Sequence, residues 1–334
     1  MIAKALTILF MLALVLAYGA FEIAAFLVVP ASTSPAEKIV EVREGMTLTE
    51  VSELLRREQV IVNALYFRVV SRWTQTEKKL QAGEFALNTA MRPLEVIDTL
   101  TQGKNLVAHP VTIPEGVTLH QIGEILHAAG RVQSVEFAAV VGDSALIEEN
   151  GGAPLEGYLF PATYTFAKGV APIEVIRRML AQFQTVYDDA FQRRAEAIGF
   201  TRHEVVTLAS IVEKETMQPS ERVLVAAVFH NRLKQEMRLQ SDPTVIFGMS
   251  HFDGNITRTD LETPTPYNTY LIDGLPPGPI GNPGRESLQA ALYPADVDYL
   301  FFVAKGDGTH AFSRTLTEHN KAVAVYQRQQ GARR

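Results

Sequence analysis

The first thirty residues constrain the fold of this chain more than any later segment. Ala5–Phe21 carry no formal charge, Lys4 precedes them, and after Glu22 the chain is apolar again over Ile23–Val29. A helix needs about 20 mainly apolar residues to cross the hydrocarbon core of a bilayer, and this run reaches that length with its N-terminal flank if the lysine snorkels. We therefore expect residues 1–29 to form an uncleaved membrane anchor.

A cleaved signal peptide is the alternative, because Ala17-Tyr18-Gly19 offers a small-x-small cleavage site. That site is followed by Ala20-Phe21 and a second apolar run, not by the polar start of a mature chain, so we prefer the anchor. A buried core helix would need a capping signal, and none precedes the run. Lys4 on the short side places the N-terminus inside and the remaining chain outside. Residues 30–37, rich in Pro, Ser and Thr, predict a short, stiff linker.

Composition excludes several classes of protein. A chain of 334 residues is long enough for roughly two domains, and 47% hydrophobic with 20% charged residues is ordinary for a globular protein. The net charge of -6 and the lack of a dense Lys/Arg stripe argue against a nucleic-acid partner. Because the chain has no cysteine, disulfides, thiolate metal sites and lipidation on an N-terminal cysteine are excluded.

Two similar blocks follow the linker. Val42–Leu48 and Ile113–Leu119 each predict a strand, a Glu-Gly turn and a Thr cap, and each leads into an amphipathic helix. Between them Gly83–Leu87 predicts a strand, and Met91–Ile97 predicts the start of another helix. The arrangement over residues 38–127 resembles the LysM module, a small βααβ unit associated with glycan binding. A plain α+β spacer is an equally good interpretation.

Residues 128–334 have a different character, typical of a mixed α/β domain, so the fold class is α+β behind a transmembrane helix. Long ordered loops rich in Gly and Pro are predicted up to about Leu300, then a strand with a turn at Lys305–Gly308, and finally a short polar helix with a basic tip. The other predicted segments are an extended Glu156–Tyr164, helices over Ile173–Ala197, His203–Thr216 (capped by Thr201) and Glu221–Leu233, and the strand Tyr299–Ala304.

The stretch Leu208–Thr216 places two acidic residues, Glu213 and Glu215, on an otherwise apolar, helix-forming segment. Residues two positions apart in the sequence lie about 200° apart around a helix, so the two carboxyl groups lie at opposite edges of the apolar face. A carboxyl group kept partly dry holds its proton near neutral pH, as a general acid must. The pattern leaves open which residue is that acid, with the other solvated or paired with Arg222. It also allows both to be ordinary surface residues.

Three downstream segments concentrate polar and aromatic side chains around prolines. Arg238–Val245 and Thr263–Tyr270 supply hydroxyl, amide and carboxyl groups, and the second adds two aromatic rings. Such groups suit sugar recognition, with polar groups for the ring hydroxyls and aromatic faces for the apolar side of the ring. The proline-rich Leu275–Gly284 is better interpreted as a rigid surface loop.

Four motifs in this part of the chain identify a known family. They are Ala209–Thr216, Val228–Leu233, Leu239–Val245 and Tyr267–Tyr270. Together they closely resemble the YceG-like family of membrane-anchored endolytic murein transglycosylases. The resemblance extends from the anchor to the terminal helix and is densest between residues 205 and 285. His230 departs from the pattern, since relatives carry an apolar residue there, but no catalytic residue is affected.

The resemblance chooses between the two glutamates. The catalytic glutamate of the family is followed by a small hydroxyl residue, which implies that Glu215, followed by Thr216, is catalytic and that Glu213 has a supporting role. It also implies an enzyme without cofactor or metal that uses the C6 hydroxyl of the substrate as nucleophile and leaves a 1,6-anhydro end. The residues expected to line the glycan cleft are Gln240, Asp242, Thr244, Tyr267, Asn268 and Tyr270.

The resemblance further implies a single-pass protein of the cell inner membrane, with a cytoplasmic N-terminus and a periplasmic catalytic domain. Such a protein would cut nascent glycan strands internally, limit their length and associate with peptidoglycan synthases. The alternative is a non-catalytic scaffold that binds glycan through residues 38–127. Other chemistries lack support, because no Gly-x-Ser-x-Gly elbow and no His-Glu-x-x-His spacing occur among the eight scattered histidines. His310 and His319 lie near each other but are better interpreted as satisfied loop residues than as ligands.

Overall fold

The computed structural model describes residues 2–43 and 45–331, which form two compact units. Unit 1 comprises the chain up to Pro110 together with Thr165–Val170; unit 2 comprises Val111–Tyr164 and the chain from Ala171 onward. The boundary therefore lies earlier than the predicted one after residue 127, and the second of the two repeated blocks belongs to unit 2. Glu44 of the first predicted Glu-Gly turn and the basic tip after residue 331 lie outside the described residues.

Unit 1 contains most of the elements predicted for residues 38–127. In chain order its elements are α1 (Ile2–Val28), β1 (Glu37–Val42), α2 (Leu48–Arg57), α3 (Ala64–Trp73), a 3₁₀ turn (Glu77–Lys79), β2 (Gly83–Asn88) and α4 (Pro93–Gln102). Strands β1 and β2 pair antiparallel, with Val40 opposite Phe85. The predicted cap of α2 is confirmed: Thr47 Oγ1 accepts from the Glu50 N–H, and the Glu50 carboxylate accepts from the Thr47 N–H.

Helix α1 is long and apolar enough to cross a membrane, over Leu6–Val28. Its far end is also part of unit 1. Phe26 is buried in the core of that unit, its ring contacts the Tyr66 ring edge-on at 5.8 Å, and Ile23 and Leu27 pack against the same core. The last turns of α1 therefore contribute side chains to the core of unit 1.

The predicted linker is fixed to unit 1. The backbone of Thr89 makes two hydrogen bonds to it: the Ser32 N–H donates to Thr89 O, and the Thr89 N–H donates to Ala36 O, both over 3.0 Å. The Thr89 hydroxyl accepts from the Ala36 N–H and donates to Ser34 O. Because these bonds pair several of its backbone groups, the segment is ordered structure and not a free spacer.

Two further strands, β3 (Ala108–Thr112) and β4 (Thr163–Ala167), form a second two-stranded sheet. The remaining elements belong to unit 2. In chain order they are α5 (Leu119–Ala128), α6 (Ser134–Val140), α7 (Ser144–Glu149), α8 (Pro172–Val186), α9 (Asp189–Ala197), α10 (Arg202–Glu215), a 3₁₀ turn (Pro219–Glu221), α11 (Arg222–Lys234), α12 (Asp242–Gly248), α13 (Arg258–Glu262), α14 (Arg285–Leu292), β5 (Phe301–Ala304), β6 (His310–Ser313) and α15 (Leu316–Gly331).

Two predictions for unit 2 need correction. The single helix predicted over Ile173–Ala197 is two helices, because Tyr187 leaves the helical conformation and Asp188 caps α9 by accepting from two backbone N–H groups. The predicted loop region before Leu300 contains three short helices, α12, α13 and α14. A proline in the first turn of α12 and a Thr257 capping box on α13 provide the local start signals. The turn at Lys305–Gly308 does join two antiparallel strands, β5 and β6.

Helix α10 is the centre of unit 2. The predicted Thr201 cap is confirmed, with a capping box to Glu204. The side chains predicted to form its apolar face are all fully buried: Val205, Val206, Leu208, Ala209, Ile211 and Val212. The helix packs against α11, α12 and α14.

Candidate active site

The last turn of α10 positions both acidic residues. Glu215 is the final helical residue, and Thr216 turns into extended backbone at φ -138° and ψ 129°. The two carboxyl groups point to opposite sides, as the helical spacing predicts, and each finds a different partner.

Glu215 is bound to a serine from across the fold. Its Oε1 accepts a hydrogen bond of 2.5 Å from Ser241 Oγ. Ser241 is buried, and its own N–H donates to Thr269 Oγ1 over 2.9 Å. The preceding residue, Gln240, adopts a left-handed φ of 51° and donates its N–H to Thr269 O. The turn that presents the serine is therefore fixed on both sides.

The surroundings of Glu215 favour its protonated form. Burial raises the pKa of this carboxyl from 4.5 to about 7, and the nearby charge of Asp242 adds to the rise. The Ser241 hydrogen bond and the charge of Arg232 act in the opposite direction. Arg232 is itself buried, and donates to Leu300 O over 2.7 Å and to Leu239 O over 2.6 Å. A carboxyl group in this environment can both give and take a proton near neutral pH.

Glu213 is engaged in an ion-pair network. Its side chain is 7% exposed; Oε1 lies 3.2 Å from Arg222 Nη2, and Oε2 accepts from the Gly284 N–H over 2.9 Å. Arg222, also buried, binds two further carboxylates, Glu286 at 3.0 Å and Glu115 at 3.4 Å. Of the alternatives left open by the sequence, pairing with Arg222 is thus the one realised at Glu213.

Three of the six residues predicted to line the cleft are partly or fully exposed near Glu215. Gln240 and Asp242 are exposed and Tyr270 is half-buried. The Tyr270 hydroxyl donates to Asp242 Oδ1 over 2.6 Å. Burial, the hydrogen bond to Asp242 and the charges of Asp242 and Glu215 raise the pKa of this phenol. These side chains can offer polar and aromatic contacts to a ligand.

Tyr267 lies in a neighbouring part of unit 2. Its ring packs edge-on against Phe247 at 4.8 Å and it is half-buried. Burial raises the pKa of its phenol, and the charge of Glu156 adds to the rise.

Thr244 and Asn268 do not line a cleft. Both are fully buried. The Thr244 hydroxyl bonds Ser241 O and Thr269 Oγ1, and the Asn268 amide donates to Leu261 O and Thr263 O and accepts from the Tyr270 N–H. Their polar groups satisfy the backbone of the loops that carry the exposed residues, so we reassign them from substrate contact to support.

Sequence reasoning did not predict that Ser241 would bind the acid. It also did not predict that Glu156 would be a second carboxyl group with a raised pKa. Glu156 accepts hydrogen bonds from the Leu119 N–H at 3.2 Å and from Asn282 Nδ2 at 3.2 Å. Burial raises the pKa of its carboxyl to about 7, and the charge of Lys214 opposes the rise. Only its position at the head of the predicted extended segment Glu156–Tyr164 could have drawn attention to it.

The proline-rich segment predicted to be a rigid surface loop is mostly buried: Pro276 and residues 278–284 are inaccessible, because the segment is bonded to the interior of unit 2. Asn282 exchanges backbone bonds with Gly116 and Val117 and accepts from the Leu159 N–H. Gly281 approaches so closely that a Cβ there would stand 2.5 Å from Gly116 O. Among the residues that the structure describes, no group of three or more His, Asp or Glu side chains is arranged to hold a metal ion.

These features define a protein of mixed helices and strands, with an apolar N-terminal helix and a site around the half-buried Glu215 carboxyl, whose pKa is raised to about 7. Residues 40–325 match the model of the YceG-like family. The chain is 33% identical over 303 residues to the endolytic murein transglycosylase of Bacillus subtilis, covering 86% of this chain and 84% of that protein. The chain belongs to the YceG-like family, which confirms the resemblance drawn from its motifs.

Two further comparisons agree. An endolytic murein transglycosylase of Streptococcus pneumoniae is 28% identical over 323 residues, which cover 86% of this chain and 58% of that protein. The crystal structure of a YceG-like protein from Listeria monocytogenes superposes with a TM-score of 0.60 at 34% identity, covering 85% of this chain and 98% of that one.

Proposed function

We propose that this protein is a peptidoglycan lytic transglycosylase in which Glu215 is the acid and then the base. The observation that carries the proposal is the half-buried Glu215 carboxyl, which accepts a hydrogen bond from Ser241 through one oxygen and has its pKa raised to about 7. Membership of a family whose relatives are named endolytic murein transglycosylases supports the substrate class.

The reaction begins with proton transfer. Ser241 occupies Oε1 of Glu215, so the acidic proton resides on Oε2. This proton passes to the bridging oxygen between N-acetylmuramic acid and N-acetylglucosamine, and the glycosidic bond breaks. The Glu215 carboxylate then takes the proton of the C6 hydroxyl as that oxygen bonds to C1. The products are a free N-acetylglucosamine end and a 1,6-anhydro-N-acetylmuramic acid end.

This chemistry needs one carboxyl group where hydrolysis needs two. Glycosidases that use water position a second carboxylate as a base or nucleophile, whereas here the nucleophile is part of the substrate. Glu213 is committed to Arg222 and Gly284, which suits a supporting role. Gln240, Asp242, Tyr267 and Tyr270 remain our proposed contacts to the glycan.

The proposed location follows from α1. The helix spans the inner membrane once with the N-terminus in the cytoplasm, and unit 2 acts on nascent strands in the periplasm. Internal cuts there limit strand length, and the partners are the peptidoglycan synthases that make the strands.

A glycan-binding scaffold is the second candidate, because unit 1 carries a groove of its own. This groove has a volume of about 560 Å³ and is lined by Glu37, Met91, residues of β2 and the 105–107 segment. In the scaffold interpretation the groove would bind strands and unit 2 would not cut them.

Full-length protein incubated with uncrosslinked strands tests the proposal, with mass analysis of the ends. We expect anhydro ends from the wild type and from Glu213→Gln, at a reduced rate in the latter, and none from Glu215→Gln. Anhydro ends from Glu215→Gln would overturn the catalytic assignment. Strands that bind the wild type but stay intact would favour the scaffold.

A further inference from the structure

Helix α3 of unit 1 is apolar on two faces. Its inner face buries Phe67 and Val70 in the core. Its outer face carries Leu65, Val69 and Trp73, whose side chains are 55%, 42% and 79% exposed. Single exposed apolar residues are common on soluble proteins, but these three recur every fourth residue and so form one stripe along the helix. The stripe ends in the chain's one tryptophan.

This outer face lies beside the membrane anchor. Tyr66 precedes Val69 by three positions and Trp73 by seven, so it borders the stripe. Its ring contacts Phe26 of α1 at 5.8 Å. The stripe is therefore on the side of α3 that faces the anchor's last turns.

The exposure pattern of α1 and the position of its charged residues indicate where α3 lies relative to the bilayer. Ile23 is the first residue of α1 to pack against the core of unit 1, whereas the side chains of residues 6–18 are exposed. Glu22 is the first charge after Lys4 and marks the outer limit of the hydrocarbon core. Phe26 lies one helical turn beyond it, about 6 Å along the axis. The headgroup region adds about 5–7 Å to each side of the hydrocarbon core, so the contact between Tyr66 and Phe26 places this part of α3 among the headgroups.

We propose that the outer face of α3 lies in the bilayer interface, with Leu65, Val69 and Trp73 contacting phospholipid. Tryptophan is enriched at this depth because its ring is apolar while its N–H can reach water. Lys78 and Lys79 are exposed at the same end of α3 and can contact anionic headgroups, while Arg72 is paired with Glu77 at 3.4 Å. The proposal rests on the insertion of α1 proposed above. Its consequence is a second membrane contact that fixes the tilt of unit 1 on the bilayer.

The single tryptophan provides the test. The full chain is reconstituted in phospholipid vesicles, with and without bromine on the upper part of the acyl chains, and flotation measures whether it is anchored. We expect the chain to float, Trp73 emission to lie at short wavelength, and brominated lipid to quench it strongly while acrylamide quenches it weakly. The Trp73→Phe variant has no tryptophan, so it gives the background emission. Val69→Asp should abolish the quenching by bromine, and Val69→Leu, the matched control, should retain it.

The outcomes separate this inference from the anchor. A chain that floats but shows long-wavelength emission, quenched by acrylamide and not by bromine, would overturn the inference and leave the anchor intact. Short-wavelength emission without quenching by bromine would mean that another protein surface, such as a second copy, covers the stripe, and would also overturn it. A chain that does not float would overturn the anchor and this inference together.

Discussion

Ser241 Oγ donates to Glu215 Oε1 over 2.5 Å, and this bond joins the end of α10 to the start of α12. The two residues are far apart in the sequence, yet the bond determines which oxygen of the acid faces a ligand. It also stabilises the carboxylate, so it limits how far burial can raise the pKa.

Replacing Ser241 by Ala should therefore change both rate and pH dependence. Without the hydroxyl, the pKa of Glu215 rises above about 7, and the acid loses its fixed orientation. We expect kcat to fall by about 10- to 100-fold, with the alkaline limb of the rate profile moved to higher pH. Ser287→Ala is the control, because Ser287 is buried and its hydroxyl has no hydrogen-bond partner among the described residues. A fall in kcat with an unmoved alkaline limb would mean that the serine does not act on the acid.

The wild-type rate should decline as the pH rises through about 7, since only protonated Glu215 can act as the acid. The release of anhydro ends, measured under conditions limited by kcat/KM, gives the profile of the free enzyme. A rate that stays constant across neutral pH would argue against Glu215 as the acid.

Glu215 should cost stability at neutral and alkaline pH. Its folded pKa of about 7 exceeds its ordinary value of 4.5, so the folded state binds more protons in that window and loses stability as the pH rises through it. Glu215→Gln removes this loss and should be more stable than the wild type by up to about 3 kcal/mol above pH 7. Urea unfolding checks this, and the difference should shrink below about pH 4.5. A difference that does not change with pH would contradict the assigned pKa.

Arg222→Met should destabilise unit 2. The substitution leaves Glu213 buried without its cation, and breaking one side of a buried pair costs about 3–5 kcal/mol. Urea unfolding again measures the effect. Arg177→Met is the control: its ion pair with Glu149 is exposed, so the loss should stay below about 1 kcal/mol. Equal losses in the two variants would mean that the Arg222 network contributes little.

Gly281→Ala should displace the proline-rich loop. The new Cβ would stand 2.5 Å from the backbone oxygen of Gly116, which cannot rotate away as a flexible side chain could. We expect a loss of about 2 kcal/mol or more together with a lower transglycosylase rate. Gly142→Ala is the control, since nothing lies within 4 Å of its Cβ position. A stable, fully active Gly281→Ala variant would show that the loop does not need this close approach.

The helix starts were predictable because their signals are local. Thr47, Thr118 and Thr201 each cap a helix through residues only three positions away. The break between α8 and α9 was missed because apolar periodicity continues across it, although Asp188 supplied a cap signal.

The site was less predictable, because its partners come from distant segments. Helical spacing places Glu213 and Glu215 on opposite sides, but it does not give their partners, which are Ser241 for Glu215 and Arg222 with Gly284 for Glu213. Thr244 and Asn268 show the opposite difficulty: their side chains are the right types for sugar contacts, yet the loops use them for their own hydrogen bonds.

The burial of Phe26 has a practical consequence for the apolar N-terminal helix. The helix is long enough to cross a membrane, and its last turns also supply side chains to the core of unit 1. Cutting the chain before Pro30 would remove Phe26, Ile23 and Leu27 and expose the apolar core of unit 1 to water. A cut that frees unit 1 from a membrane should therefore also lower the stability of unit 1.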